Sequence, residues 1–488
     1  MKQKKIDAVI FDLDDTLIST SKLKEYREHR DYEGLEANLH LSKLYLPVKN
    51  LLHEIVTRHI PLALVTNSPR WYVDKLLKHH DIDCFDVVIC YDDVGSLGVK
   101  PSEKGICLAI DQLGLSRKNA IIYIGDLDSD IIAAYAAGIK PIAPSWATRH
   151  PIDQVPAAII NSESLISCLD HYEEIALIAD RTALNKAYNF PKKQLNFVPL
   201  NESGQVVPLK KDEIRLIALG RYFSQGSPLT ASLHESHQLS KDIFAKEHSE
   251  TYIIPQYYVD LVARVVETLP QYIFEDTNAY FDIVTVIPAK KQKNRRLENL
   301  LRRVEDLAST KSTFIPDLFE FSADAVSLKT LGNKASRLEE LRGSFSIKSK
   351  YIKGLKGKTV LVIDDVITTG ATFLSAFELL KSAQAGISIG ICLAKTVSVK
   401  NDYKFCPECS RIMKIRTNKN SGIHFYGCSG YFEMSNRCDY SEAIKIKDCP
   451  LCGKNVVKKS TRRGSHFLSC VSYGSSEACG YTENVDEL

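Results

Sequence analysis

"VIFDLDDTL", residues 9–17, decides how the first part of this chain is read. An apolar run leads into Asp12 and Asp14, two positions apart. In an extended strand such positions share a face, so Leu13 turns inward while both carboxylates lean into one crevice. Two such acids, with a divalent cation between them and an incoming phosphate, can divide the nucleophile and acid-base roles. Alone, an apolar run followed by Asp-x-Asp describes a solvated strand end equally well. Three later fragments of the same construction add to it. "LALVTNS" ends in Thr66, whose hydroxyl and backbone N–H can hold phosphate oxygens, beside Asn67. "GVKPS" supplies Lys100, a cation able to neutralise a phosphoryl group and the acid attacking it. "IIYIGDLDSD" ends in Asp126 and Asp130, oxygen ligands suited to a hard cation.

All four fragments fall at the carboxyl ends of predicted strands, where ligands bind in open α/β sheets. Residues 6–145 alternate strand-like and helix-like stretches, the pattern of a parallel sheet wrapped by helices. The arrangement resembles the haloacid dehalogenase-like phosphohydrolases, which implies a Rossmann-like parallel sheet over residues 1–150. On that resemblance Asp12 is the nucleophile that forms an aspartyl-phosphate, and Asp14 is the acid and base. Thr66, Asn67 and Lys100 bind phosphate or stabilise its transfer, and Asp12, Asp14, Asp126 and Asp130 supply the Mg²⁺ site. A fold that keeps the motifs without the activity is the alternative. Residues 19–46 are expected to form a small helical cap insert that leaves the site open.

From 151 to 210 the pattern loses regularity and mixes Pro, Asn, Gly and charge, as a linker does. Alternation resumes over 211–400, where "VLVIDDVITTGAT", residues 360–372, stands out. Its apolar run predicts a buried strand, and Thr368, Thr369, Gly370, Ala371 and Thr372 a turn into a helix. Free N–H groups and hydroxyls there make an anion cradle, with Gly370 permitting close approach. Asp364 and Asp365 precede it, placed to accept hydrogen bonds from vicinal hydroxyls, so a sugar 5-phosphate fits. The pattern resembles the phosphoribosyl pyrophosphate (PRPP) loop of type I phosphoribosyltransferases. "FDIVTVIPAKKQKNRR" and "LKTLGNKASRLEELRGSF" resemble the pyrophosphate loop and mobile lid of the ComF-like branch. The resemblance implies ribose hydroxyls on Asp364 and Asp365, the phosphate on residues 368–372, pyrophosphate near Ala289 and Lys290, and Mg²⁺ assisting its departure. The basic run Lys290, Lys291, Lys293, Arg295 and Arg296 reads as a steering patch or as a solvated helix face. A sensor that binds PRPP without consuming it stays open.

Eight of the 13 cysteines lie beyond residue 405, in two successive sets. Cys406, Cys409, Cys428 and Cys438 form one, Cys449, Cys452, Cys470 and Cys479 the other. Each is the four-sulfur pattern of a structural Zn²⁺ site, with disulfides as the competing reading. The units, residues 401–443 and 444–488, resemble the C4 zinc ribbons of bacterial type I DNA topoisomerases, without that enzyme's strand-cleaving body. Interleaved Lys, Arg, Phe and Tyr suit phosphates and stacked bases, so single-stranded DNA or RNA is the expected partner, with protein docking as the alternative.

The formal charge of +3 excludes a strongly basic body, and no apolar run reaches the ~20 residues that span a bilayer. The basic start meets acids before any apolar stretch, so a secretory signal is not expected and the reading is cytoplasmic. The chain as a whole reads as an α/β multidomain enzyme of nucleotide or nucleic-acid metabolism. Its expected parts are a Mg²⁺-dependent phosphatase, a PRPP-binding transferase and two zinc ribbons. The alternative is a PRPP-sensing, nucleic-acid-binding regulator.

Overall fold

The computed structural model describes residues 4–95, 98–147, 152–188, 197–201, 204–207, 216–247, 249, 251–290, 293–322, 343–397, 399, 404, 406–409, 413–418, 421–432, 437–461, 465–473 and 479–484. They form two compact units, Met1–Asn401 and Asp402–Leu488.

The first sheet contains β1 (Ala8–Phe11), β2 (Leu62–Val65), β3 (Val87–Ile89), β4 (Ile121–Ile124), β5 (Lys140–Pro144) and β6 (Ala158–Ile160). Its order is β3-β2-β1-β4-β5-β6 and every pairing is parallel. The near-continuous apolar strands follow from burial on both faces. Val9 and Phe11 of β1, Leu62 and Leu64 of β2, and Ile122 and Ile124 of β4 enter one core. Ala8, Ile10, Ala63, Val65, Ile121 and Tyr123 enter the other. The strand order reverses between β2-β1 and β4, which opens a crevice at their carboxyl ends. The insert after β1 holds short helices at Lys24–Glu28 and Tyr32–Asn38, tied back by the ribbon Ile18–Ser19 with Lys43–Leu44.

The stretch 151–210, expected as a linker, instead carries structure on both sides of a junction. β6 extends the first sheet, and the helix Ser162–Cys168 sends Leu165 into its core. The helix Ile178–Asn185 then packs Ile178, Ala179 and Ala183 into the next core. These elements are three to eight residues long, too short for hydrophobic periodicity to show against Pro and charge.

The second sheet contains β7 (Val198–Leu200), β8 (Leu216–Ala218), β9 (Arg221–Phe223), β10 (Ile283–Val286), β11 (Thr313–Ile315), β12 (Val360–Ile367) and β13 (Ser388–Val397). The order is β11-β10-β12-β13-β8-β7, with β9 also on β13. Only the β7–β8 pairing is antiparallel among these described strands. The helix Gln256–Phe274 covers one face through Tyr258, Val259, Leu261, Val262, Val265, Val266 and Leu269, spaced by helical turns. A buried ion pair on the second sheet's side reaches the helix Asp128–Ala136 of the first through one hydrogen bond. Arg221 Nε lies 2.7 Å from Asp180 Oδ2, and its Nη1 donates to the Tyr135 hydroxyl at 3.0 Å. Most of the expected lid, "LKTLGNKASRLEELRGSF", lies outside the described residues.

The tail unit holds two small antiparallel sheets. Met413–Thr417, His424–Cys428 and Ser441–Ala443 form the first. Lys445–Asp448, Asn455–Ser460, His466–Cys470 and Thr482–Asn484 form the second. Among the described residues no helix is long and apolar enough to cross a membrane.

Candidate active sites and metal centres

Asp12 follows β1 directly, and its N–H donates to Ile124 O at 2.8 Å, which fixes it at the switch point. Lys100 reaches it from the loop after β3. Lys100 Nζ lies 2.6 Å from Asp12 Oδ1, 2.6 Å from Asp130 Oδ1 and 2.8 Å from the Tyr123 hydroxyl. Asp12, Asp126 and Asp130 are buried, and each offers a carboxylate oxygen within 4.8 Å of the others. Burial pushes Asp12 up to about 7 against the pull of Lys100, with Asp130 and Asp14 adding to the rise. Asp126 is raised well above the carboxylate range by burial and by Asp130. Three buried acids against one lysine leave an excess of negative charge, which a hard, oxygen-seeking cation would offset.

Asp14 stands outside that trio. Tyr72 OH and Thr20 Oγ1 donate to its Oδ1 at 2.9 and 2.7 Å, Ser68 Oγ donates to its Oδ2, and Arg27 Nη1 lies 3.0 Å from Oδ2. Burial opposes its charge, but Arg27 and these hydroxyls outweigh burial and hold it below the ordinary carboxylate range. Thr66 keeps its hydroxyl beside the site, yet its N–H, expected to face phosphate, donates to Ile89 O at 3.0 Å. The β2–β3 pairing continues one residue past the strand and consumes that donor. Asn67 clamps the Lys100 main chain, donating to its carbonyl at 3.0 Å and accepting from its N–H at 2.8 Å. Its amide therefore aims the lysine.

In the second sheet Asp364 and Asp365 lie within β12. Asp365 Oδ2 is held by Lys246 Nζ at 2.8 Å and Arg296 Nη2 at 2.6 Å. Despite burial, these cations pull it well below the usual carboxylate range. Asp364 accepts the Asp365 N–H at 2.8 Å, and burial with its neighbour's charge raises it to about 7. Gly370, at φ +73°, caps the 12-residue helix Ala371–Ser382, so the 368–372 turn presents a helix N-terminus. A small cavity of about 60 Å³ is lined by Asp364, Ala289, Asn294, Arg296 and Glu298. Ala289 N–H donates to Glu298 Oε1 at 3.2 Å, while Lys290 Nζ sits 5.2 Å from the centre of the Phe321 ring.

Sequence reasoning missed Arg27, Ser68, Tyr72, Lys246 and Glu298. Arg27 lies in a five-residue helix without periodicity, and Lys246 comes from 118 residues before Asp364, so neither carries a local signal. Arg296 was visible as part of the basic run.

The tail cysteines gather in two sets of four, each within 4.8 Å. The closest sulfurs are 3.2 and 3.6 Å apart in the first set and 3.3 and 3.5 Å in the second. A disulfide requires about 2.05 Å, whereas sulfurs around Zn²⁺ at ~2.3 Å stand roughly 3.8 Å apart. The spacing favours a shared metal. Beside them, Arg416 and Arg437 sit over Tyr431 at 5.6 and 4.5 Å, and Lys459 over Tyr473 at 5.5 Å, with both rings partly exposed.

Three family models match the chain. Residues 23–143 match the haloacid dehalogenase-like hydrolase model, 324–425 the phosphoribosyl transferase domain, and 446–487 the topoisomerase DNA binding C4 zinc finger. A phosphoglycolate phosphatase of Pectobacterium atrosepticum is 33% identical over 27% of this chain and 56% of its own. One of Photorhabdus laumondii is 37% identical over 22% and 46%. The chain thus spans about half the length of these curated relatives. The crystal structure of a Had-superfamily hydrolase from Ehrlichia chaffeensis covers 34% of this chain and 98% of its own, with 21% identity and a TM-score of 0.25. Three stretches of one chain are therefore similar, in order, to a haloacid dehalogenase-like hydrolase, a phosphoribosyl transferase domain and a topoisomerase-type C4 zinc finger.

Proposed function

We propose that the chain hydrolyses small phosphomonoesters at Asp12, binds PRPP at β12, and contacts single-stranded nucleic acid through a zinc-bound tail. The observation that carries the first reading is the buried array of Asp12, Lys100, Asp126 and Asp130 at the switch point, with Asp14 held apart from it. A carboxylate oxygen of Asp12 attacks phosphorus, the bond to the leaving oxygen breaks, and that oxygen takes a proton from Asp14. Asp14, charged in the free protein, first picks that proton up from water as the substrate's negative charge arrives beside it. Water then attacks the aspartyl-phosphate, Asp14 takes its proton, and the phosphorus–Asp12 bond breaks to release phosphate. Lys100 neutralises Asp12 and the transferred group, and Asn67 holds Lys100 on its line. A Mg²⁺ on Asp12, Asp126 and Asp130 would supply further charge neutralisation. Phosphate release from phosphoglycolate tests the reading: it should require Asp12, and undiminished turnover in Asp12→Asn would end it.

At β12 the helix N-terminus at Gly370 supports binding of a 5-phosphate, and Asp364 lines the adjoining cavity. The cationic clamp on Asp365 favours a second reading, PRPP sensing without turnover, because the acid expected to meet ribose hydroxyls is already engaged. Mass spectrometry of PRPP incubated with nucleobases separates the two. Base-dependent pyrophosphate release supports a transferase, and intact bound PRPP supports a sensor. In the tail, cations stacked on exposed tyrosines support nucleic-acid contact. Chelating zinc should unfold the tail and abolish single-strand binding, with the two large sheets of residues 1–401 unaffected; binding that survives complete metal removal would contradict this.

A further inference from the structure

We infer that a ribosyl 5-phosphate seated on the 368–372 turn loosens the acids of the first site, and that Lys395 is the joint between the two. This rests on the phosphatase and 5-phosphate readings and names how one site regulates the other.

The helix Asp128–Ala136 starts in the first site, with Asp130 in its first turn and Asp126 just before it. Asp128, between those two acids in sequence, is buried and engages a different stretch of chain. Its Oδ1 accepts the Asp153 N–H at 2.8 Å and the Gln154 N–H at 2.9 Å. At the far end of the same helix the Tyr135 hydroxyl donates to Val155 O at 2.6 Å. Residues 153–155 are therefore bolted to both ends of the helix that carries Asp130. The second sheet and its flanking chain hold the same stretch. Ile152 and Val206 exchange main-chain hydrogen bonds at 2.7 and 3.3 Å, and Lys395 Nζ reaches Asp153 O at 3.4 Å.

Lys395 also borders the phosphate turn. It lies on β13 opposite Ile367, the last residue of β12, and Thr368 follows directly. A methyl group placed on Gly204 would touch Lys395 Cε and Thr369 O at 3.8 Å and Thr368 O at 3.9 Å, so the lysine and the turn share one gap the width of a methyl group. The Lys395 N–H is fixed on Gly220 O at 3.0 Å, which leaves its flexible stem as the part able to move. Its contact with Asp153 O is the longest of these links and joins a full charge to a neutral carbonyl. A phosphate dianion on the turn offers that ammonium a stronger, charge-assisted partner. As Lys395 shifts toward it, Asp153 and Gln154 lose an anchor and the seat of Asp128 loosens. Asp126 and Asp130, each two residues from Asp128, then hold a cation less well. A hydrogen-bonded network with a shared joint carries coupling between two sites in both directions.

The test measures Mg²⁺ binding by calorimetry in the full Zn²⁺-loaded chain carrying Asp12→Asn, which blocks turnover, with and without saturating ribose 5-phosphate. The heat assigned to the first site is the part that a further Asp126→Asn removes. Ribose 5-phosphate should weaken this Mg²⁺ binding about 5- to 10-fold, and Mg²⁺ should weaken ribose 5-phosphate binding by the same factor. Lys395→Met, or Lys395→Gln where the first variant folds poorly, should bring the factor to one while both ligands still bind. An unchanged Mg²⁺ Kd with the sugar phosphate bound would overturn the inference and leave both readings standing. Tighter Mg²⁺ binding, or coupling that survives in the Lys395 variants, would also overturn it, because a sugar phosphate seated directly on the first site gives that result. Absence of ribose 5-phosphate binding would overturn the 5-phosphate reading, and absence of any heat lost in Asp126→Asn the cation site of the phosphatase, each taking the inference with it.

Discussion

The two acid pairs of the large unit solve one electrostatic problem in different ways. At β1, Asp12 is raised to about 7 while Asp14, two residues on, is held low by Arg27 and three hydroxyls. At β12, Asp364 is raised to about 7 while the adjacent Asp365 is held low by Lys246 and Arg296. In both places burial splits two carboxylates into one that binds a proton readily and one that stays charged, as expected when neighbouring acids leave water together. The difference lies in where the cation goes. In the first pair Lys100 sits on the raised acid, Asp12, and shares it with Asp130. In the second, both cations sit on the low acid and leave Asp364 to line the cavity. The first arrangement keeps the proposed nucleophile next to positive charge; the second leaves one acid on the cavity beside a clamped neighbour.

The largest effect that could break this contrast is in the pair of variants Asp12→Asn and Asp365→Asn. Loss of the nucleophile should lower phosphate release on the order of 10⁴-fold or more and spare PRPP binding. Asp365→Asn should do the reverse. If either variant abolishes both functions, the sites are not separable.

Removing cations sharpens the comparison at smaller scale. Lys100→Met strands three buried acids without their cation and should destabilise the metal-free chain by about 3–5 kcal/mol. Lys246→Met leaves Arg296 on Asp365 and should cost about 1–3 kcal/mol. Denaturant melts without Mg²⁺ measure both, and equal losses would show that the second clamp is not redundant.

The smallest signal is in pH. Asp364 has a folded pKa above its unfolded value, so its contribution is full below about 3.8 and is lost as pH rises through about 7. Asp365 is depressed, so its contribution is present above about 3.8 and disappears as pH falls below it. Relative to wild type, Asp364→Asn should therefore gain stability between about pH 4 and 7. Asp365→Asn should be the less stable protein at pH 7, and that deficit should shrink in acid. Thermal melts from about pH 2 to about pH 7 check both slopes, that of Asp365→Asn below about 3.8 and that of Asp364→Asn above it, and slopes of the same sign would undo the assignment within the pair.

Strand-borne residues were legible in the sequence because β1, β2, β4 and β12 are buried on both faces, which writes continuous apolar runs that lead into Asp12, Thr66, Asp126 and Asp364. The cysteine sets were legible because ligand spacing is local. Arg27 and Lys246 were not, since each reaches its acid from a different element through the fold. Thr66 shows a subtler limit: the apolar run places it just past the end of β2, but whether its N–H is free depends on how far β2 keeps pairing with β3. The junction at 151–210 was hidden by the brevity of its elements.

The most direct test of the account is to trap the phosphorylated chain. Full-length protein mixed with Mg²⁺ and phosphoglycolate, quenched in acid within a single turnover and mapped by peptide mass spectrometry, should carry an acyl-phosphate on Asp12 that is absent from Asp12→Asn. Turnover with no phosphate on Asp12, or with phosphate on a different residue, would contradict it.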